Sequence, residues 1–99
     1  MKKYTVVYSP AAIEHIRLIA SWYNQQKKGL GKRFKENVKK ETVLLKLNPF
    51  THSCRYDKVR YAIPDKFPYA AHYTVDEGTM RVIIHAVFAF KENPQKWIK

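Results

Sequence analysis

The sequence lacks several features that would assign it to an extracellular or membrane class. Its one cysteine, Cys54, excludes an internal disulfide, and nothing near it has the spacing of a metal-binding knuckle. No apolar run approaches the roughly 18 residues that a membrane span needs. The start, MKKYTVVYSPAA, has about four apolar residues that alternate with polar ones, which favours a strand over a signal peptide. A free thiol without an export signal predicts a cytoplasmic protein with no membrane partner.

Acidic residues are also scarce. Eight Asp and Glu stand against 19 Lys and Arg, so the net charge is +11 over 99 residues. Residues 1–49 alone hold eleven Lys or Arg and three acidic residues. This imbalance predicts an anionic or acidic protein partner, although high charge can also simply keep a small protein soluble. The length and the 45% apolar content predict a single globular domain over residues 1–99.

The apolar periodicity predicts one strand, two helices and three further strands. Ser9-Pro10 provides a helix N-cap followed by proline at the first helical position. Gly29-Leu30-Gly31 separates the two helices, and Asn48-Pro49 ends the second, so a helical hairpin is expected. Residues 49–55 are expected to be a connection. The predicted elements are a strand at 4–8, helices at 10–26 and 30–47, and strands at 59–63, 69–75 and 80–88.

The first helix carries apolar residues on two sides. Leu18 and Trp22 lie nearly opposite the predicted core face, where they either pack on the second helix or form an exposed partner site. The face expected to bury against the sheet contains Ile13, Ile16, Ala20 and Tyr23, widened by Ala12 and Ile19.

The second helix separates apolar from basic residues. Its apolar stripe is Leu30, Phe34, Val38 and Leu45, with Leu44 beside it. A row of lysines on another side is either a solvated face or a contact surface for phosphates or acidic side chains. The lysines of this row are Lys32, Lys35, Lys39 and Lys46.

The last two strands are predicted to form a hairpin with two distinct faces. A two-residue loop at Glu77-Gly78 would place Tyr73 opposite Val82. The apolar face then contains Tyr69, Ala71, Tyr73, Val75, Met80, Val82, Ile84, Ala86 and Phe88, and the other face contains Ala70, His72, Thr74, Arg81, Ile83, His85 and Val87.

The face that contains His72, Arg81 and His85 suggests a chemical role if the Arg60 side chain also lies on it. Arg60, His72, Arg81 and His85 would then form a polar cluster. Histidine can transfer protons near neutral pH and arginine can stabilise a phosphate, as acid–base cleavage of RNA requires. The alternative is an ordinary solvent-facing side of a sheet. No third ligand accompanies the two histidines, so no metal and no cofactor are expected.

The order of elements resembles the ParE/RelE superfamily of toxins from bacterial type II toxin–antitoxin modules. The resemblance implies an α+β fold with an N-terminal strand and a helical hairpin packed on one face of a small antiparallel-rich sheet. It covers essentially the whole chain. The residues that carry it are VVYSPAAIEHI, Phe67-Pro68-Tyr69 leading to His72-Tyr73, the strand from Val82 to Phe88, and Asn93-Pro94-Gln95-Lys96-Trp97.

The resemblance implies one of two activities. RelE-like members cut messenger RNA in the ribosome, whereas ParE-like members, including the plasmid stabilisation type, poison DNA gyrase. The positions of two RelE arginines fall on Ala70 and on or near Lys91, and that of the RelE C-terminal tyrosine falls near Trp97. Arg60 keeps the basic residue on the strand before the hairpin. Three of these four positions therefore depart from the RelE pattern.

These departures favour a ParE-like toxin that acts by binding, with DNA gyrase as its expected target. A cognate acidic antitoxin is expected to fold on this protein and form a hetero-oligomer with it. The alternatives are a ribosome-dependent mRNA endoribonuclease and a degenerate, non-toxic relative, so enzymatic activity stays open. Candidate residues for the target surface, or for catalysis in a nuclease, are Arg60, His72, Arg81, His85 and Lys91. Candidate antitoxin contacts are Leu18, Trp22, Lys32, Lys35 and Lys39.

Overall fold

The computed structural model describes residues 3–89. Two helices pack on one face of a five-stranded mixed sheet, which confirms the predicted α+β architecture. No helix within residues 3–89 has the length and apolar character needed to cross a membrane. The elements are β1 (Thr5–Tyr8), α1 (Pro10–Gln26), α2 (Leu30–Val43), a 3-10 turn (Leu44–Lys46), β2 (Cys54–Tyr56), β3 (Val59–Ala62), β4 (Tyr69–Asp76) and β5 (Arg81–Ala89).

The strands lie in the order β1-β5-β4-β3-β2, so β1 and β2 form the two edges of the sheet. β1 pairs with β5 in parallel, and the other neighbours pair antiparallel. β1 reaches along β5 only as far as Ile84, opposite Tyr8. Beyond that point α1 and its N-cap residue form two hydrogen bonds with β5. Ser9 Oγ donates to the His85 carbonyl at 2.9 Å, and the Val87 N–H donates to His15 Nδ1 at 3.2 Å.

The helix boundaries follow local chemistry. Ser9 Oγ accepts from the Ala12 N–H at 3.1 Å, and Pro10 occupies the first position of α1, as predicted. Gly29 precedes α2 with φ +86°, a left-handed conformation that glycine adopts without steric cost. α2 ends at Val43, earlier than expected, because residues 44–46 tighten into a 3-10 turn.

The core lies between the helical hairpin and the sheet. Its largest fully buried side chains include Phe34, Val38 and Leu45 from the helical segments. The prediction that Ile13 belongs to this core is wrong, since Ile13 is 57% exposed and borders the groove between α1 and α2. Leu44 is 59% exposed because it starts the 3-10 turn, which changes the helical periodicity.

The prediction of a plain connection at residues 49–55 is wrong, because β2 begins inside it. Cys54 lies opposite Arg60 and Tyr56 lies opposite Val59, with a register shift between the two pairs. Asp57, in the turn after β2, has φ +47°. A strand of three residues is too short for an alternating pattern to reveal it.

The β4–β5 hairpin also differs from the prediction. Its loop contains the four residues 77–80, and Asp76 lies opposite Arg81. The observed register near the loop therefore differs from the predicted register by two residues. A shift of two residues leaves every side chain on the same face, so Val82 and Ile84 still face the helices. A bulge at His85 then reverses which side chains of β5 face the helices. Tyr73 pairs with Ile84, but His72 pairs with Ala86, so His85 has no paired residue in β4. As a result Val87 joins the main core, and Ala86 and Phe88, predicted there, do not.

Candidate functional site

The face of the sheet away from the helices carries an aromatic cluster of Tyr56, Tyr61, His72 and Phe88. His72, in the centre, is only 2% exposed. Its ring centroid lies 4.1 Å from that of Tyr61 and 4.9 Å from that of Phe88. Its Nδ1 is hydrogen-bonded to the Tyr56 hydroxyl at 3.0 Å. The pairing of Tyr61 with His72 across β3 and β4 places both side chains on this face.

The surroundings of His72 determine its protonation. Burial, with a smaller electrostatic contribution from the nearby His15, lowers the pKa of His72 to about 4. The imidazole is therefore neutral near pH 7 and inaccessible to a substrate. Burial also raises the pKa of the Tyr56 phenol. These properties fit a structural histidine better than a group that exchanges protons with RNA.

His85 is in a different situation. It occupies the β5 bulge, is exposed, and its Nε2 lies 2.7 Å from Thr74 Oγ1. Partial burial lowers the pKa of His85, so its imidazole is also mainly neutral near pH 7. Arg81 is exposed opposite Asp76, on the same face as Thr74. This part of the surface can bind an anion at Arg81 and accept a proton at His85.

The predicted four-residue polar cluster is wrong, because Arg60 lies on the opposite face. Arg60 pairs with Tyr73, and residues directly opposite in a sheet project to the same side. Its Nη1 donates to the His52 carbonyl, and its guanidinium carbon lies 5.1 Å from the Phe50 ring centroid. Lys91 and Trp97 lie outside the described residues.

A pocket of about 550 Å³ opens beside the aromatic cluster, at the β2 edge of the sheet. The Arg55 guanidinium carbon lies 5.3 Å from the centroid of the Tyr61 ring. The sequence pattern did not indicate this pocket, because β2 was not among the predicted strands. Asp57, a turn-favouring residue between two short β-prone segments, was the only local hint of this hairpin. The residues that line the pocket are Thr51, His52, Ser53, Arg55, Tyr61 and Ile63.

The helical hairpin forms a second surface, a groove of about 390 Å³ that we call the hairpin groove. Its floor is aliphatic and its rim is cationic. Of the predicted antitoxin contacts, Lys35 and Lys39 border this groove and Lys32 is exposed outside it. Its lining residues are Tyr8, Ile13, Ile16, Arg17, Lys35, Val38 and Lys39.

Leu18 and Trp22 lie elsewhere on α1. Each is 52% exposed, so the structure supports the exposed alternative over burial against α2. The Trp22 ring packs edge-on against Tyr23 at 5.1 Å. Leu18 borders a separate cavity of about 200 Å³, together with Ile19 and Val87. Their role as antitoxin contacts stays a prediction.

Among residues 3–89, no group of three or more His, Cys, Asp or Glu side chains could hold a metal ion. The Arg17–Glu14 pair, at 2.6 Å, is the ion pair found in this part of the chain.

No protein-family model and no curated protein matches this sequence, but solved structures do. The chromosomal ParDE TA system from P. aeruginosa matches with a TM-score of 0.77 and 12% identity, covering 90% of this chain and 98% of that chain. The intact E. coli RelBE toxin–antitoxin complex matches with a TM-score of 0.69 and 17% identity, covering 90% and 99%. The isolated E. coli RelE toxin matches with a TM-score of 0.67 and 16% identity, covering 96% and 93%. The chain therefore has the ParE/RelE toxin fold, as the resemblance predicted.

Proposed function

We propose that this protein is the toxin of a type II toxin–antitoxin module, that it acts as ParE-like toxins do by binding DNA gyrase, and that a cognate antitoxin neutralises it. The observation that carries the proposal is the structural match over 90% of the chain to a ParDE TA system. Gyrase binding also implies a cytoplasmic location.

The described surface favours binding over RNA cleavage. Of the predicted acid–base residues, His72 is buried and neutral, and Arg60 lies on the other face of the sheet. Ala70 occupies the position of a RelE arginine, and it is buried. A nuclease on this face would have only His85 and Arg81 from the predicted set within residues 3–89. Two exposed groups at this face are better suited to contacting a protein target than to cutting a phosphodiester.

The antitoxin is proposed to be acidic, and the hairpin groove is its proposed contact. Its aliphatic floor would bury apolar side chains, and Lys35 and Lys39 would attract carboxylates. The net charge of +11 supports the same complementarity over longer range. Leu18 and Trp22 would extend the apolar contact beyond this groove.

The second candidate is a RelE-like, ribosome-dependent endoribonuclease. It is favoured by the match to the isolated E. coli RelE toxin and by the exposed, neutral His85 beside Thr74. In that case His85 would act as the base and Arg81 would hold the phosphate.

One experiment separates the two candidates. The chain is induced alone in a bacterial host, and DNA synthesis and protein synthesis are followed separately. A binding toxin of the ParE type should stop DNA synthesis first and inhibit supercoiling of relaxed plasmid by purified gyrase. An endoribonuclease should stop protein synthesis first and leave discrete new messenger RNA ends in a translation extract. Normal growth with neither effect would contradict both and indicate a non-toxic relative.

A further inference from the structure

The end of α2 carries an exposed apolar surface that lies outside the hairpin groove. Of the eight large apolar side chains exposed among residues 3–89, four lie within residues 43–50. They are Val43, Leu44, Leu47 and Phe50, and we call this set the turn patch. Such a concentration of exposed apolar side chains on a small, highly charged protein marks an interaction surface.

The 3-10 turn after α2 explains why these side chains face outward. Side chains three positions apart eclipse each other in a 3-10 turn, so Leu44 and Leu47 project in the same direction. They are 59% and 58% exposed, whereas Leu45 between them is fully buried. The turn therefore places one leucine in the core and presents two to a partner.

The segment that bears the turn patch is anchored at two points. The Tyr4 N–H donates to the Lys46 carbonyl at 2.8 Å, and the Tyr73 hydroxyl donates to the Pro49 carbonyl at 2.8 Å. The Phe50 ring also meets the Tyr4 ring edge-on, with the centroids 6.3 Å apart. A patch held in this way loses little conformational entropy when a partner covers it.

Basic side chains border the turn patch. Glu41, which is half-buried, is the acidic residue within positions 40–50. A second copy of the patch would bring like charges together, so a homodimer through this surface is disfavoured and an acidic partner is favoured. The basic residues of the border are Lys3, Lys40, Lys46 and Arg60.

The shape of the turn patch distinguishes its partner from the antitoxin. None of its four side chains lines any of the three cavities described above. A groove suits a segment that folds on binding, as expected for the antitoxin. An outward-facing, anchored patch instead suits the preformed surface of a folded protein.

The turn patch also leads to Arg81, a residue predicted for the target surface. Tyr4, at the start of β1, bonds to the 3-10 turn on one side. The next residue, Thr5, pairs with Arg81 on the other side, and both Thr5 and Arg81 are exposed. A partner that covers this end of β1 can therefore contact the turn patch and Arg81 together.

We propose that the turn patch, bordered by Arg81, is the surface through which this protein docks on its folded protein target. The complementary surface of the target has an apolar centre, which covers Leu44 and Leu47, and acidic residues around it. This inference rests on the proposed function, which has a protein target, and adds where that target binds. The two partners then use separate surfaces, the antitoxin the hairpin groove and the target the turn patch.

The test measures how well purified variants inhibit supercoiling by purified gyrase. Leu44→Ser combined with Leu47→Ser removes apolar surface and leaves the net charge at +11. This double variant should raise the concentration for half-inhibition at least about ten-fold, as expected when the apolar centre of an interface is removed. Arg81→Gln, at the border, should raise it about two- to five-fold.

Gln25→Ser combined with Gln26→Ser is the matched control. It introduces the same two serines at exposed positions at the end of α1, which is the opposite end of the helical hairpin, and should inhibit gyrase as wild type does. Circular dichroism melting and antitoxin binding check the fold. The leucine double variant should bind the co-encoded antitoxin within about two-fold of wild type, because neither leucine lines the hairpin groove.

Unchanged inhibition of gyrase by the leucine double variant would overturn this inference alone. So would an equal loss of antitoxin binding, which would assign the turn patch to the antitoxin. Dimerisation of wild type, or its binding to phosphatidylglycerol vesicles, would also overturn the inference if the leucine double variant abolished it. A wild-type protein that does not inhibit gyrase would overturn the proposed function and this inference together, so the two failures are distinguishable.

Discussion

The Nδ1 atom of His72 lies 3.0 Å from the hydroxyl oxygen of Tyr56, which connects the interior strand β4 to the edge strand β2. These two residues do not pair in any strand register, so the contact depends on their side chains. It explains why a histidine can be buried at 2% exposure on the face away from the helices. One polar atom of the imidazole is satisfied by Tyr56, and the ring is covered by aromatic neighbours.

This contact predicts a pH dependence of stability. The pKa of His72 is about 4 in the folded protein and close to its ordinary value of 6.5 in the unfolded chain. Between these values the unfolded state binds more protons, so the free energy of unfolding should fall as the pH falls from 6.5 to 4. The loss should approach about 3 kcal/mol. Urea unfolding at several pH values measures it. His72→Gln should show a flatter profile over this window, and an unchanged profile would contradict the assignment.

The second prediction concerns His85 and the mechanism. If the protein acts by binding gyrase, His85→Ala should arrest growth within about five-fold of wild type, because one exposed contact at a protein interface usually contributes less than about 1 kcal/mol and no proton transfer is lost. A nuclease that used this imidazole as a general base would lose about 10²–10⁴-fold in cleavage. The measurement is the induction level needed to halt growth. Thr74→Val, which removes the hydrogen-bond partner of His85, serves as the matched control for a purely local disturbance.

A third prediction concerns the glycines of the helical hairpin. A Cβ atom on Gly31 would lie 2.2 Å from the Ala20 carbonyl oxygen, a backbone atom that cannot move aside. Gly31→Ala should therefore destabilise the protein by about 1–3 kcal/mol. Gly29→Ala has free space but φ +86°, so about 1 kcal/mol is expected. Gly78→Ala, with ordinary φ and a nearest atom at 3.3 Å, is the control and should be close to neutral. Thermal unfolding ranks the three variants, and a Gly31→Ala protein as stable as Gly78→Ala would contradict the close helix approach.

The fourth prediction addresses the antitoxin. Reversing both Lys35 and Lys39 to glutamate should weaken antitoxin binding by about 5–30-fold at low salt, since each rim charge contributes up to roughly 1 kcal/mol. The loss should shrink as salt is added. Ile13→Asp should weaken binding further by placing a charge against the groove floor. Reversing both Lys27 and Lys28 to glutamate, an equal change of charge in the turn between the helices, should have little effect. The affinity of the co-encoded antitoxin measures this, and an equal loss with the Lys27 and Lys28 reversals would point to non-specific attraction.

Local chemistry made much of the fold predictable. Ser9-Pro10 places the start of α1, and Gly29 separates the helices, because capping and backbone freedom depend on a few neighbouring residues. The long strands β4 and β5 were also found within one residue of their ends. The three-residue β2 was missed, and with it Arg55 and the pocket that Arg55 lines.

The sequence by itself determined which residues alternate along each strand, and so placed Tyr73 and Val82 together on the buried face. Only the tertiary structure decided where that alternation breaks. The bulge at His85 lies where β1 ends and Ser9 and His15 of the distant N-terminal segment bond to β5. Likewise, the pairing of Arg60 with Tyr73 put that arginine on the face opposite His72. Alternation is a property of one strand, whereas register and bulges depend on contacts between segments far apart in the chain. For that reason the residues expected to form one catalytic cluster lie on two faces of the sheet.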